Sequence, residues 1–185
     1  MKKSYDYFKM LKNLSESVSV IYAKILLNKD FSSDRIRFFA EKSELINNLQ
    51  NEFITPLERG DIFFLAESLA EELCSVFSLK EYFTFINKFN REELEKMNSH
   101  FEAQNHIFSQ LSDYRSNLRL FEQCSEEIKS LNTEKKSVEK RVLEALGCMR
   151  EQFLLRYVSY SAYLDLNRKI YKTILQIERI LIDNS

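Results

Sequence analysis

Helix-breaking residues are scarce in this chain of 185 residues, which contains two glycines and one proline: Gly60, Gly147 and Pro56. An average composition, with about 12% Gly plus Pro, would give roughly 22 of them. All-β folds need turn residues about every 8 to 12 positions, and nucleotide-binding α/β folds use glycine-rich phosphate loops. The deficit argues against both classes and favours long helices joined by few, short connections.

The chain also lacks an excess of charge of either sign. Its 27 basic and 28 acidic side chains leave a net charge of −1. Proteins that bind nucleic acid or anionic lipid draw on a positive field, so we expect no nucleic-acid partner. Apolar residues make up 44% and charged residues 30%, as in globular chains. The length favours a single domain, residues 1–185, with a substantial core.

Long hydrophobic runs are absent as well. The most apolar short stretch covers residues 62–66, whereas a membrane-spanning helix needs about 20 apolar residues. Polar residues follow Lys2 and Lys3, where a signal peptide would need an apolar segment. We therefore expect a cytoplasmic protein with no membrane insertion.

Residues that carry chemistry are few. Cys74, Cys124 and Cys148 form no Cys-x-x-Cys pair, so we expect buried, reduced thiols rather than a disulfide framework or a zinc ribbon. His100 and His106 stand six positions apart, about 120° around a helix, and are expected on the surface. No hydrolase, zinc-protease or phosphate-loop motif occurs. A Cys–His nucleophile pair stays open, because such pairs form in space. We expect no enzyme and no cofactor.

Apolar side chains recur at three- and four-residue steps in six stretches, which predicts six helices. The predicted helices run from about Ser4 to Leu27, from Ser32 or Ser33 through Phe53, from Pro56 into 82–89, from Asn90 through Tyr114, from about Leu120 to Leu146, and from about Gln152 to Ile182. Gly147 is expected to cap the fifth. The fold class is an all-α antiparallel bundle, with two three-helix units at 1–88 and 89–185.

Two helices are predicted in more detail. The core stripe of the second comprises Ile36, Phe39, Ile46, Leu49 and Phe53. The third is predicted to begin with Thr55 as the N-cap and Pro56 at the first helical position, because proline's missing N–H costs nothing there. Glu58 would then complete a capping box.

Two groups of side chains each allow two interpretations of their role. Glu67 and Glu71 lie four apart on one helix face, which makes them weak candidates for a metal site. We favour a solvated acidic face, because it points away from the apolar stripe. Tyrosines are enriched on the last helix, and we favour core packing over a partner-binding face for them: Tyr157, Tyr160, Tyr163 and Tyr171.

One segment resembles a known family. Residues 53–62, hereafter the signature segment, read Phe-Ile-Thr-Pro-Leu-Glu-Arg-Gly-Asp-Ile, and Leu65-Ala66 and Leu69 follow in register. This stretch of about 17 residues is similar to the signature of the PhoU-like proteins that accompany Pit-type inorganic phosphate transporters. Outside it, the resemblance is one of helix pattern only.

The resemblance implies a cytoplasmic, non-enzymatic regulator of phosphate uptake that acts by contact with an inorganic phosphate transporter or its regulators. Such a protein would lie at the inner face of the membrane through its partner, and self-association stays open. The signature residues that could contact a partner are Thr55, Pro56, Glu58, Arg59 and Asp61, although a structural role at the helix start is favoured. The alternative is a helical scaffold unrelated to phosphate.

PhoU relatives also carry acidic pairs that hold metal ions, and the chain departs from the family there. The corresponding positions are Ala70 and Cys74, Arg35 and Phe39, Arg168 and Lys172, and Lys135 and Glu139. Hard cations need several carboxylate oxygens that converge on one point. We therefore predict that the metal clusters are lost and that binding is independent of cations.

Overall fold

The computed structural model describes residues 5–52, 54–86, 91–147 and 153–184, without the side chains at 82–86, 91–95, 145–147 and 153–156. These residues form helices and connections with no strand among them, which confirms the all-α prediction. The helices are α1 (Tyr7–Leu26), α2 (Ser32–Asn51), α3 (Arg59–Ile86), α4 (Arg91–Ser109), α5 (Leu111–Ser116), α6 (Leu118–Gly147) and α7 (Phe153–Asp183).

Helix α1 follows its predicted bounds closely. The Asp6 side chain accepts the Lys9 backbone N–H at 3.0 Å and caps the first turn. The helix ends where Asn28 takes a left-handed backbone conformation, with φ of 51°, which asparagine tolerates better than most residues. Its apolar stripe is buried at Leu11, Val18, Ile21 and Ile25.

The predicted core stripe of α2 is correct at Leu49, which is buried, and at Ile46, which packs partly buried against the core. It is wrong in its first half. The buried apolar side chains are Phe38, Leu45 and Leu49, whereas Ile36 is 72% exposed. Phe39 is also exposed, and Phe53 lies outside the described residues. Because α2 is polar around most of its circumference, its apolar spacing permits two neighbouring stripes. The ion pair between Lys24 of α1 and the buried Asp34 lies in line with Phe38, and this selects the second stripe.

The predicted start of α3 is also wrong. The helix begins at Arg59, and the Glu58 carbonyl accepts two backbone N–H groups of its first turn at 3.0 and 3.2 Å. The Thr55 hydroxyl donates to the Leu57 carbonyl at 2.5 Å instead of capping the helix. Leu57 is buried, and the bend that buries it places Thr55 and Pro56 before the helix. The capping box therefore does not form.

The described residues of the second half form one more helix than predicted. A turn at Gln110 separates α4 from the short α5, and Asn117 then has extended backbone before α6. The Asn117 side chain accepts the Arg119 N–H at 3.1 Å at this join. Gly147 is the last residue of α6, and its predicted capping role depends on residues outside the described part. The predicted first residue of the last helix, Gln152, also lies outside it.

Helices α1, α3, α4 and α7 form the centre of the bundle. Helices α3 and α7 pack antiparallel, α1 lies against α2, α3 and α4, and α6 lies against α7. One end holds the start of α1 and α3 and the end of α2 and α7, as hydrogen bonds show from Tyr5 to Glu52, from Arg59 to Glu52 and from Asn184 to Asp61. The division into two three-helix units stays a prediction. Within the described residues, no helix has an apolar stretch long enough to cross a membrane.

Candidate functional site

The signature segment lies at this end of the bundle, and its charged side chains make intramolecular contacts. Arg59 donates to the backbone carbonyl of Glu52 at the end of α2. Asp61 accepts a hydrogen bond at 3.4 Å from Asn184, just after α7. Glu58 is exposed. These contacts tie the end of α2 and the end of α7 to the start of α3, and they differ from the helix-capping role that was predicted for Thr55, Pro56 and Glu58.

An open groove of about 530 Å³ lies beside the segment. Two of the five signature candidates, Thr55 and Pro56, line it, and the other three do not. Ile54 lies at its edge and is 89% exposed. The remaining walls come from the start of α1 and from Arg115 of α5. The groove combines aromatic, apolar and charged groups, which suits contact with a polypeptide better than enclosure of a small molecule.

Three helices present exposed apolar side chains on the surface that follows the signature segment, and we call this surface the aromatic face: Phe39 of α2, Phe63 and Phe64 of α3, and Leu175 of α7. Two contacts show that these helices adjoin there. Lys42 of α2 lies 2.7 Å from Glu67 of α3, and the Lys172 Nζ lies 5.8 Å from the Phe64 ring centroid.

The candidate metal residues do not converge. Glu67 is paired with Lys42, and Glu71 is exposed. At the remaining family positions, Glu139 is bound by Arg168 at 2.9 Å and lies 3.8 Å from Lys135. Within the described ranges, no group of three or more His, Cys, Asp or Glu side chains could hold a metal ion.

Of the described thiols and imidazoles, Cys124 and His106 lie in their predicted environments, whereas Cys74 and His100 do not. Cys124 is buried and free, and burial raises the pKa of its thiol to about 12, so it is a poor nucleophile. Cys74 is free but exposed, so its predicted burial is wrong, and Cys148 lies outside the described residues. His106 is exposed as predicted. His100 is only 4% exposed, so its predicted surface position is wrong.

The tyrosines of α7 mostly pack, as favoured. Tyr160 and Tyr163 are buried, Tyr171 is half-buried, and Tyr157 is exposed. The Tyr171 ring lies under the ammonium of Lys135, with 4.8 Å between Nζ and the ring centroid, a geometry that attracts the cation to the ring.

Sequence reasoning missed a carboxyl group in the middle of the core. The Glu72 side chain of α3 is 0% exposed. Gln104 of α4 donates to its Oε2 at 2.8 Å, and the Thr173 hydroxyl of α7 donates to its Oε1. A signal was present, because buried Leu65, Leu69, Val76 and Leu79 place Glu72 in their own stripe at three- and four-residue steps.

A chain of polar contacts extends from Glu72 toward α1. Gln104 also reaches the Ser15 hydroxyl at 3.3 Å, and Ser15 donates to Asn105 at 2.7 Å. We call Glu72, Gln104, Thr173 and Ser15 the Glu72 cluster. It joins α1, α3, α4 and α7 through side chains alone.

On its α7 side the cluster borders a surface ion pair. Lys169 lies 3.1 Å from the Asp165 carboxylate and donates to the Ser75 hydroxyl at 2.7 Å. Ser75 donates to Asp165 at 2.9 Å and stands one helical turn after Glu72.

Burial raises the pKa of the Glu72 carboxyl to about 7. Loss of hydration disfavours the charged form of any buried acid, and this is the largest effect. Hydrogen bonds from Thr173 and Gln104 and the charge of Lys169 oppose it, whereas the neighbouring Glu71 adds to it. Near neutral pH, the Glu72 carboxyl is therefore protonated in some molecules and ionised in the others.

A second buried polar group lies between α4, α6 and α7, which we call the His100 cavity. Its room of about 10 Å³ suits one water molecule. His100 and Asn167 line it beside Leu131 and Ile170. The His100 Nε2 and both polar side-chain atoms of Asn167 are buried without a hydrogen-bond partner in the described structure. Burial lowers the pKa of His100, because it disfavours the imidazolium, whereas the charge of Glu134 and the neighbouring Asn167 side chain oppose this shift.

Comparison with known proteins adds no relative. No protein-family model matches the chain, and no curated protein matches it.

Proposed function

We propose that the protein is a non-enzymatic, PhoU-like regulator or accessory of inorganic phosphate transport that acts by protein–protein contact. The observation that carries this proposal is the position of the signature segment, which leads directly into the aromatic face of α3. Its partner is an inorganic phosphate transporter or a regulator of one. The protein would then work in the cytoplasm, at the inner face of the membrane, through that partner.

The aromatic face supports a contact role. Phe63 and Phe64 stand side by side in the second turn of α3, and each is exposed by more than two fifths of its surface. Exposed aromatic side chains are enriched at interfaces, because they bring a large apolar area with little flexibility. Lys42, Glu67 and Lys172 surround them, which matches the polar rim of a binding surface.

A contact that is independent of metal ions is also consistent with the residues at the family's metal positions. Ala70 is buried and Cys74 is exposed. Arg168 and Lys172 bring positive charge where the family has acidic ligands. The same departures favour the second candidate function, a helical scaffold with no link to phosphate, because a diverged bundle can be reused for another partner.

Affinity purification from the native cell tests the proposal. The full tagged chain is compared with Phe63→Ser/Phe64→Ser and with Leu143→Ser, a control on α6 that removes a side chain 57% exposed. We expect the wild type and the control to retain a phosphate transporter or its regulator, and the double variant to lose most of it. Deletion of the protein should change phosphate uptake.

Two outcomes would contradict the proposal. A stable complex with an unrelated protein, together with unchanged phosphate uptake, would favour the scaffold. Equal capture by all three chains would show that the aromatic face is not the contact surface.

A further inference from the structure

We propose that Glu72 is a proton-operated switch, which tightens the contact between α3 and α7 when its carboxyl is neutral and loosens it when the carboxyl is charged. The proposal stands on the position of the carboxyl, which has no exposed surface and lies between α4 and α7. It concerns the bundle itself and does not depend on the proposed partner.

The neutral carboxyl completes a continuous chain of hydrogen bonds. A protonated Oε1 can donate to the Thr173 hydroxyl, which then donates to the Lys169 carbonyl at 3.1 Å. Gln104 continues to donate to Oε2 at 2.8 Å. Both oxygens of the Glu72 carboxyl then have a hydrogen-bond partner, and no charge is buried.

The charged carboxyl is less well accommodated. The Thr173 hydroxyl must then turn its hydrogen to Glu72, and the Lys169 carbonyl loses it. The carboxylate keeps two neutral donors and no bonded cation. A buried charge without a cation is costly. The free energy of the bundle therefore falls when water or a cation reaches this position.

The charges that face Glu72 come from few groups. Glu71, on its own helix, disfavours the charged form, and Lys169 of α7 favours it. The groups that α4 and α1 present to it, Gln104 and Ser15, are neutral. His100 lies one turn before Gln104, and its lowered pKa keeps it neutral at pH 7. The raised pKa of Glu72, about 7, sets the switch in the physiological range.

Lys169 is the group that can respond. Its side chain is partly exposed and binds Asp165 and Ser75. Asp165 is itself more than half exposed and is readily hydrated without this partner. Movement of the Lys169 ammonium from Asp165 toward Glu72 would open the α3–α7 contact around Ser75 and Thr173.

Hydrogen exchange of backbone amides tests the switch in the full chain. Protection is measured at about pH 6 and pH 8 and corrected for the intrinsic exchange rate. The chains compared are wild type, Glu72→Gln, and Glu71→Gln as the matched exposed neighbour. In the wild type, the amides of α3 and α7 around Ser75 and Thr173 should lose protection by about tenfold at the higher pH. Glu71→Gln should behave in the same way, and Glu72→Gln should show little change.

Equal protection of the wild type at the two pH values would overturn the proposal, whether or not the Glu72→Gln variant folds. A tenfold loss that persists in Glu72→Gln would also overturn it, because the responsible group would then lie elsewhere.

Discussion

A carboxyl group and an imidazole, those of Glu72 and His100, are buried in this core, and their surroundings differ. Glu72 receives hydrogen bonds from two other helices, whereas His100 lies beside a cavity with its Nε2 unpartnered among the described residues. Burial raises the pKa of the first and lowers the pKa of the second. The direction differs, but the cause is the same, because each group is driven toward its neutral form. The hydrogen bonds to the Glu72 carboxyl, and not burial alone, distinguish it from His100, although the Gln104 Oε1 of the Glu72 cluster is also buried without a partner among the described residues.

The largest expected effect is the pH dependence of stability that Glu72 causes. Its folded-state pKa is about 7, raised from 4.5. The stability that its proton contributes is therefore fully present below about pH 4.5 and is lost as the pH rises to about 7, by about 3 kcal/mol. Urea unfolding of wild type and Glu72→Gln across this range should show the difference between the two chains growing with pH. A constant difference would contradict this account of Glu72.

The next two effects compare a polar-to-leucine substitution in the Glu72 cluster with one beside the His100 cavity. Gln104→Leu removes a donor from Glu72 and should lower the free energy of unfolding by about 2 kcal/mol at pH 8, because the carboxylate loses one of its two hydrogen bonds. At about pH 5 the loss should be smaller, since the carboxyl is neutral. Urea midpoints at the two pH values measure it. The same loss at both would indicate a packing defect.

The matched substitution beside the His100 cavity should change the free energy of unfolding in the opposite direction. Asn167→Leu replaces two unpartnered polar atoms with apolar ones beside the His100 cavity. We expect the free energy of unfolding to rise by about 1 kcal/mol, because a desolvation cost is removed. Calorimetry at neutral pH tests this. A fall of similar size would show that the Asn167 amide has a partner, either His100, whose pKa Asn167 helps to raise, or a bound water.

The smallest effect concerns His100 and appears only in acid. Its folded-state pKa lies below the ordinary value of 6.5, so the stability that it contributes is present above pH 6.5 and is lost as the pH falls below it. His100→Asn should remove this loss while it leaves stability near pH 8 almost unchanged. Thermal unfolding of Glu72→Gln with and without His100→Asn isolates the slope, because the Glu72 contribution is absent from both. Parallel curves would contradict the assignment.

Much of the fold could be predicted from the sequence, because long one-sided stripes such as that of α1 leave a single face to bury. The stripe of α2 could not, since Ile36 and Phe38 belong to two equally regular patterns and the Lys24–Asp34 ion pair decides between them. The start of α3 could not either, because the Thr55 hydroxyl bonds to a carbonyl two residues later.

The Glu72 cluster shows why a site is harder to predict than a fold. The position of Glu72 on the α3 stripe could be read from the sequence. Its partners Gln104 and Thr173 stand 32 and 101 residues further along the chain. Their convergence depends on how α4 and α7 pack against α3, which helix periodicity does not specify.

The most direct test of the central claim is a carboxyl and imidazole NMR titration of the wild-type protein, with the Glu72 signal assigned by Glu72→Gln. We predict that Glu72 titrates with a pKa near 7 and that His100 titrates below its ordinary value. A Glu72 carboxyl that titrates near 4.5, the ordinary value for glutamate, would contradict the claim that this core exchanges a proton near neutral pH.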